Sequence, residues 1–218
     1  MQPLNAEFFC VSCRTPFQNQ FPLDADGRCA LCRSGLRAFD AAYSFGAYEG
    51  PLRQLIQLFK YSKIPTLARP LSDLLVTALP RDERFDAIAP TPMHWLKRWR
   101  RGFNQSELLA RDLSRRTGLP MLRALRRVKS APAQAGLSGA ARRRNVSAAF
   151  RAREGSVQGK RILLVDDVMT TGSTAAACAA ALKRAGASRV SLLTVARVDR
   201  RIDISQLQAA HAATRESD

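Results

Sequence analysis

Along most of the chain, short continuous apolar runs alternate with stretches whose apolar residues recur every three or four positions. The first pattern predicts strands buried on both faces, the second amphipathic helices. Strands are expected over residues 43–48, 85–90, 122–128, 161–165 and 190–198, the third continuing the same sheet. One helix carries Leu52, Leu55, Ile56 and Phe59 and ends at residues 60–63. Further helices are expected over 66–78, over 104–116 with Leu108, Leu109 and Leu113 on one face, and over the Ala-rich 174–185. Strands alternating with helices predict an α/β fold with a parallel sheet flanked by helices.

The pattern breaks at both ends. Residues 1–37 lack the apolar content of a core and are expected to form a small module of their own. Residues 38–199 make up the α/β domain, and residues 200–218 read as a polar, Ala-rich tail. The N-terminal module carries Cys10, Cys13, Cys29 and Cys32 as two C-x2-C pairs separated by 15 residues. That spacing is a zinc signature, since four thiolates from two turns give the tetrahedral sulfur set Zn2+ prefers. Such a site has no open position, so the zinc is expected to be structural. Two disulfides are the alternative, disfavoured in a cytoplasmic protein. Cys178 falls in the Ala-rich helix and reads as a small buried residue.

Composition changes the picture in one respect. The net charge is +17, and residues 97–153 hold sixteen Lys and Arg against Glu107 and Asp112. Charge concentrated in this way points to a polyanionic partner, although a general preference for arginine would also raise the count. The N-terminus has no basic segment followed by an apolar one, and no apolar run is long enough to cross a membrane. The expectation is a soluble, cytoplasmic protein with no membrane insertion.

The candidate chemistry gathers where two strands end. After the run 161–165 come Asp166 and Asp167, then Thr170, Thr171, Gly172, Ser173 and Thr174 leading into a helix. Carboxylates at the carboxyl end of a parallel strand can grip hydroxyls or a metal. Hydroxyls and backbone N–H groups at a helix N-terminus suit a phosphate. A sugar phosphate has both features. The strand at 85–90 opens into a long basic loop that should emerge at the same edge. It holds His94, Trp95, Lys97, Arg98, Trp99, Arg100, Arg101 and Gly102. Trp95 and Trp99 among cations form a candidate stacking surface for single-stranded DNA, unless they pack on the domain. Lys60 and Tyr61 sit at a helix end, where a cation is favourable with or without a ligand. Residues 129–150, with Arg142, Arg143 and Arg144, read as a lid or a basic linker.

These motifs carry a resemblance. Val165–Thr174 is similar to the phosphoribosyl pyrophosphate (PRPP) motif of type I phosphoribosyltransferases. The order of the paired cysteines, Phe59-Lys60-Tyr61, Ala89–Pro92, Arg101–Gln105, Gln134 with Arg144–Val146, and Val165–Thr174 resembles the ComF family over nearly the full length. The resemblance implies a type I phosphoribosyltransferase-like fold behind an N-terminal zinc finger. It implies that Asp166 and Asp167 face ribose hydroxyls as the catalytic pair. Thr170, Thr171, Gly172, Ser173 and Thr174 would wrap the 5′-phosphate, with Arg101 and Gly102 at the pyrophosphate and Mg2+ arriving with PRPP. It also implies a role in DNA uptake during natural transformation beside competence-machinery proteins. Trp95, Lys97, Arg98, Trp99, Arg100 and Arg142–Arg144 are then the candidate DNA surface. The alternative is a phosphoribosyltransferase acting on an unknown acceptor in nucleotide metabolism, with no DNA role.

Overall fold

A computed structural model describes residues 7–17, 20–33, 38–62, 64–93, 95–128 and 149–198. The expected lid, apart from its last two residues, and the expected tail lie outside these, as do His94, Gln134, Arg142, Arg143, Arg144, Asn145 and Val146.

The core of the fold is a four-stranded parallel sheet formed by β3 (Ala41–Ala47), β4 (Ala87–Pro90), β7 (Arg161–Met169) and β8 (Arg189–Arg197). Its order is β3-β8-β7-β4. The two central strands are the longest and most apolar, as burial on both faces demands. Side chains alternate along β7. Ile162 and Leu164 enter one core, and Leu163 and Val165 enter the other.

The second of these cores lies under α2 (Gly50–Tyr61), α3 (Ala68–Ala78) and α5 (Gln105–Thr117). Leu52, Ile56, Phe59, Leu71, Leu75, Leu109 and Leu113 supply it at helical spacing. The first core lies under α6 (Ser173–Arg184), whose alanines let it sit close to the sheet. The cysteine module shares this core through Cys10, Cys13 and Cys29. It consists of β1 (Phe8–Phe9) paired antiparallel with β2 (Pro16–Phe17), followed by the short α1 (Ala30–Arg33).

Three expectations are corrected. The run at 122–128 does not continue the sheet. Only Met121 bridges to Ile88, and the chain then leaves as β5 (Leu125–Arg127), which pairs antiparallel with β6 (Phe150–Ala152). Next, the basic loop after β4 contains a helix, α4 (Trp95–Arg101). Finally, β7 runs four residues past Val165 because β8 pairs with it as far as Met169↔Arg197. Asp166 and Asp167 therefore stand on the strand itself. Among the described residues, no helix is long and apolar enough to cross a membrane.

Candidate functional site

Asp166 and Asp167 occupy the carboxyl end of β7, and the two are held differently. Asp166 Oδ1 accepts a hydrogen bond from Ser106 Oγ at 2.8 Å and one from the Asp167 N–H at 2.9 Å. Asp167 Oδ1 lies 3.0 Å from Lys60 Nζ. Burial, and then the charge of Asp167, raise the Asp166 carboxyl to about 7, against the pull of Ser106, the Asp167 N–H and Lys60. Among the described residues, Lys60 is the one cation paired with these two carboxylates.

Two other segments lock this pair in place. At the end of α2, Phe59 packs on Phe103 with ring centroids 5.5 Å apart. Lys60 points to Asp167, and Tyr61 lies under Arg101, whose guanidinium is 5.1 Å from the ring centroid. After α4, Gly102 takes φ 84°, a left-handed turn that suits glycine. Asn104 then caps α5, accepting from the Ser106 N–H at 3.2 Å, while its own Nδ2 donates to Thr91 O at 3.0 Å. That cap puts the Ser106 hydroxyl on Asp166. Nothing in the sequence marks Ser106, one serine in a helix; its part depends on a contact 60 residues away. Lys60 at a helix end could be read as a simple cap, and its partner shows only in three dimensions.

The 170–174 loop follows directly. Thr170, Thr171, Ser173 and Thr174 are exposed, and Gly172 is buried at φ 77° as the N-cap of α6. A Cβ on Gly172 would lie 3.6 Å from Met169 Sδ and 3.8 Å from Phe39 Cε1, so the loop rests on those two side chains. Thr171 Oγ1 donates to Ser173 Oγ at 3.0 Å and accepts from the Ser173 N–H at 3.3 Å. A cleft of about 50 Å³ opens here, lined in part by Asp166, Thr170, Gly172, Ser173 and Thr174. Of the two expected acids, Asp166 thus shares a cleft with most of the expected phosphate loop, with hydroxyls at the positive end of a helix, while Asp167 faces Lys60.

Arg101 closes α4, and Gly102 follows it in the adjoining turn. Trp95 and Trp99, one helical turn apart on α4, are 69% and 80% exposed. Lys97, Arg98 and Arg100 lie on the same helix. Both tryptophans present most of their surface to solvent.

The four expected metal cysteines converge. Their sulfurs all lie within 4.8 Å of one another, and Cys13 Sγ is 3.7 Å from Cys29 Sγ. A zinc–sulfur bond of about 2.3 Å gives a tetrahedron edge of about 3.8 Å, so the set fits a tetrahedral Zn2+ site. The Cys29 N–H donates to Cys10 Sγ at 3.3 Å, which favours the thiolate a metal needs. Hydrogen bonds from Cys13, Cys29 and Cys32 push the Cys10 thiol down, whereas Cys29 and Cys32 are pushed up. None of the five cysteines forms a disulfide. Cys178 is buried in α6 as expected, and burial pushes its thiol up.

Residues 102–209 match the family model of the phosphoribosyl transferase domain. Over 178 residues the chain is 35% identical to competence protein F of Haemophilus influenzae, covering 78% of each chain. Over 176 residues it is 36% identical to DNA utilization protein YhgH of Escherichia coli K12, covering 78% of this chain and 77% of that one. Among solved structures it is similar to the glutamine PRPP amidotransferase from B. subtilis, with TM-score 0.45 and 21% identity over 62% of this chain. The match spans only 30% of that enzyme's chain.

Proposed function

The chain belongs to the ComF family, that of competence protein F and DNA utilization protein YhgH, and we propose that it binds PRPP at the carboxyl end of its sheet and serves DNA uptake. The observation that carries the reading is the Asp166–Asp167 pair beside an open phosphate loop, with one lysine for two carboxylates among the described residues. Asp166 and Asp167 would accept hydrogen bonds from the ribose hydroxyls. Thr170, Thr171, Ser173 and Thr174, with the α6 N-terminus, would hold the 5′-phosphate. Arg101 and the Gly102 turn would meet the diphosphate.

Among the described residues the cysteine set is the only group of three or more clustered His, Cys, Asp or Glu. Mg2+ would therefore be held chiefly by the diphosphate, with one or two carboxylates at most. Zn2+ in the cysteine set would act as a structural cross-link. We place the protein in the cytoplasm, where free thiolates persist to bind a metal.

The DNA surface would be α4. Trp95 and Trp99 are exposed and spaced for stacking, on a helix with Lys97, Arg98, Arg100 and Arg101. The acid pair would repel a DNA phosphate, so DNA and PRPP would take neighbouring surfaces. Arg142, Arg143 and Arg144, expected from the sequence to join this surface, lie outside the described residues. Single-stranded DNA should bind in a strongly salt-dependent manner, and Trp95→Ala/Trp99→Ala should weaken it. No salt-sensitive binding would reject this part.

Calorimetric titration of PRPP with Mg2+ into wild type and Asp166→Asn/Asp167→Asn tests the first part. Saturable binding lost in the variant supports it. No binding to folded, zinc-loaded wild type rejects it. If binding holds, pyrophosphate release with candidate acceptors separates a transferase from a PRPP-binding protein.

A further inference from the structure

We infer that Arg197 is a positioning residue that couples the metal-loaded state of the cysteine module to the order of the 170–174 loop. Arg197 ends β8, and its side chain is buried, only 1% exposed. Its Nη1 donates to the Cys13 carbonyl and its Nη2 to Thr15 Oγ1, both at 2.7 Å. Thr15 Oγ1 in turn lies 2.9 Å from Cys13 Sγ. The guanidinium is therefore pinned to the backbone of one metal-binding cysteine and to the hydroxyl that touches that cysteine's sulfur.

The backbone of Arg197 reaches the site. Arg197 pairs with Ala47 on one side and Met169 on the other, and the Val198 N–H donates to Met169 O at 2.9 Å. Met169 is the last residue of β7, so the loop begins at the next peptide. Gly172 rests on Met169 and Phe39. Both belong to the same buried cluster as Cys10, Cys13 and Cys29. The floor of the loop and the wall of the metal site are one piece of core.

Charge gives the coupling its direction. Four thiolates around a divalent cation carry a formal charge of about −2. A buried guanidinium is stabilised by nearby negative charge, and a loaded tetrathiolate centre would add such charge beside Cys13. A module this small depends on its metal to hold its turns. Without the metal, Cys13 O and Thr15 are no longer held where Arg197 needs them. Arg197 must then move, and Met169 and the loop lose their fixed neighbour.

The inference rests on reading 170–174 as the phosphate loop, but its test does not. Hydrogen exchange is followed by mass spectrometry in full-length wild type, zinc-loaded and zinc-stripped, and in Arg197→Met and Arg197→Lys. PRPP titration and zinc release to a chelator are recorded in parallel. Stripping zinc should speed exchange in 170–174 about tenfold while residues 162–165 stay protected. Arg197→Met should speed loop exchange to a similar extent while still loaded, release zinc faster, and show little further change on stripping. Arg197→Lys, which keeps the charge but not the two-pronged contact, should fall between. Unchanged loop exchange in stripped wild type overturns the coupling. So do independent, additive effects of stripping and substitution. If Arg197→Met loosens 162–165 as well, the stripped wild type and Arg197→Lys decide. If no form binds PRPP yet the loop responds to zinc, the coupling stands and the PRPP reading fails.

Discussion

The two ends of the sheet treat their carboxylates in opposite ways. At the amino end, Glu83 accepts from Tyr43 Oη at 2.8 Å, from Ser191 Oγ at 2.7 Å and from Arg189. Asp86 takes the Arg161 N–H at 2.7 Å and its guanidinium at 2.9 Å and 3.2 Å. Burial works against the Glu83 charge, yet Ser191, Arg189 and Tyr43 hold its carboxyl below the usual range. Arg161 holds Asp86 at about 2. At the carboxyl end, burial and a like-charged neighbour lift Asp166 to about 7. The amino end uses its acids to hold strands together. The carboxyl end instead sets a buried acid beside a like charge, the arrangement that the proposed PRPP site would use.

Exchanging the acids at each end should separate these roles. The largest effect is expected from Asp166→Asn/Asp167→Asn. By calorimetry it should lose PRPP affinity about a hundredfold or more, while its denaturation midpoint stays at or above that of wild type. Glu83→Gln should do the reverse. It weakens three hydrogen bonds in a largely buried position and should cost about 2 kcal/mol in urea unfolding, leaving PRPP affinity unchanged. A variant that lost both together would break the comparison.

Acidity gives a smaller effect with a definite sign. Asp166 titrates higher in the folded protein than in the unfolded chain, so the folded state holds the extra proton. Stability should therefore fall as pH rises from the ordinary carboxylate value toward about 7. Asp166→Asn should flatten that part of the wild-type profile, measured as denaturation midpoint against pH. The smallest effect belongs to Asp86→Asn. Asp86 and Arg161 are both well exposed, so the loss should stay below about 1 kcal/mol in urea unfolding near neutral pH.

What the sequence disclosed follows from how local each signal is. Apolar runs and helical spacing reveal β7, β8 and the major helices, because burial demands those patterns over a few consecutive residues. The C-x2-C pairs and the 166–174 motif are equally local. The helix α4 leaves no such mark, because Trp95, Leu96 and Trp99 are exposed and form no buried stripe. The run 122–128 looks like sheet because Leu122, Leu125 and Val128 are apolar, but whether a strand joins a sheet depends on its neighbours. Ser106, Lys60 and Arg197 have partners 60, 107 and 184 residues away, respectively. Nothing in the flanking residues marks such contacts.

The strand order has a consequence for how the protein is made. β3 and β4 never touch; β8, the last strand of the sheet, lies between β3 and β7 and joins the two sides. During synthesis the cysteine module and β3 leave the ribosome first, and about 140 residues follow before β8 emerges, which takes roughly ten seconds or more. Throughout that interval β3 has no partner within the sheet, and Arg197, which links both sides to the cysteine module, does not yet exist. A chain halted before Arg189 could already gather its four cysteines, but it would lack the strand that closes the sheet.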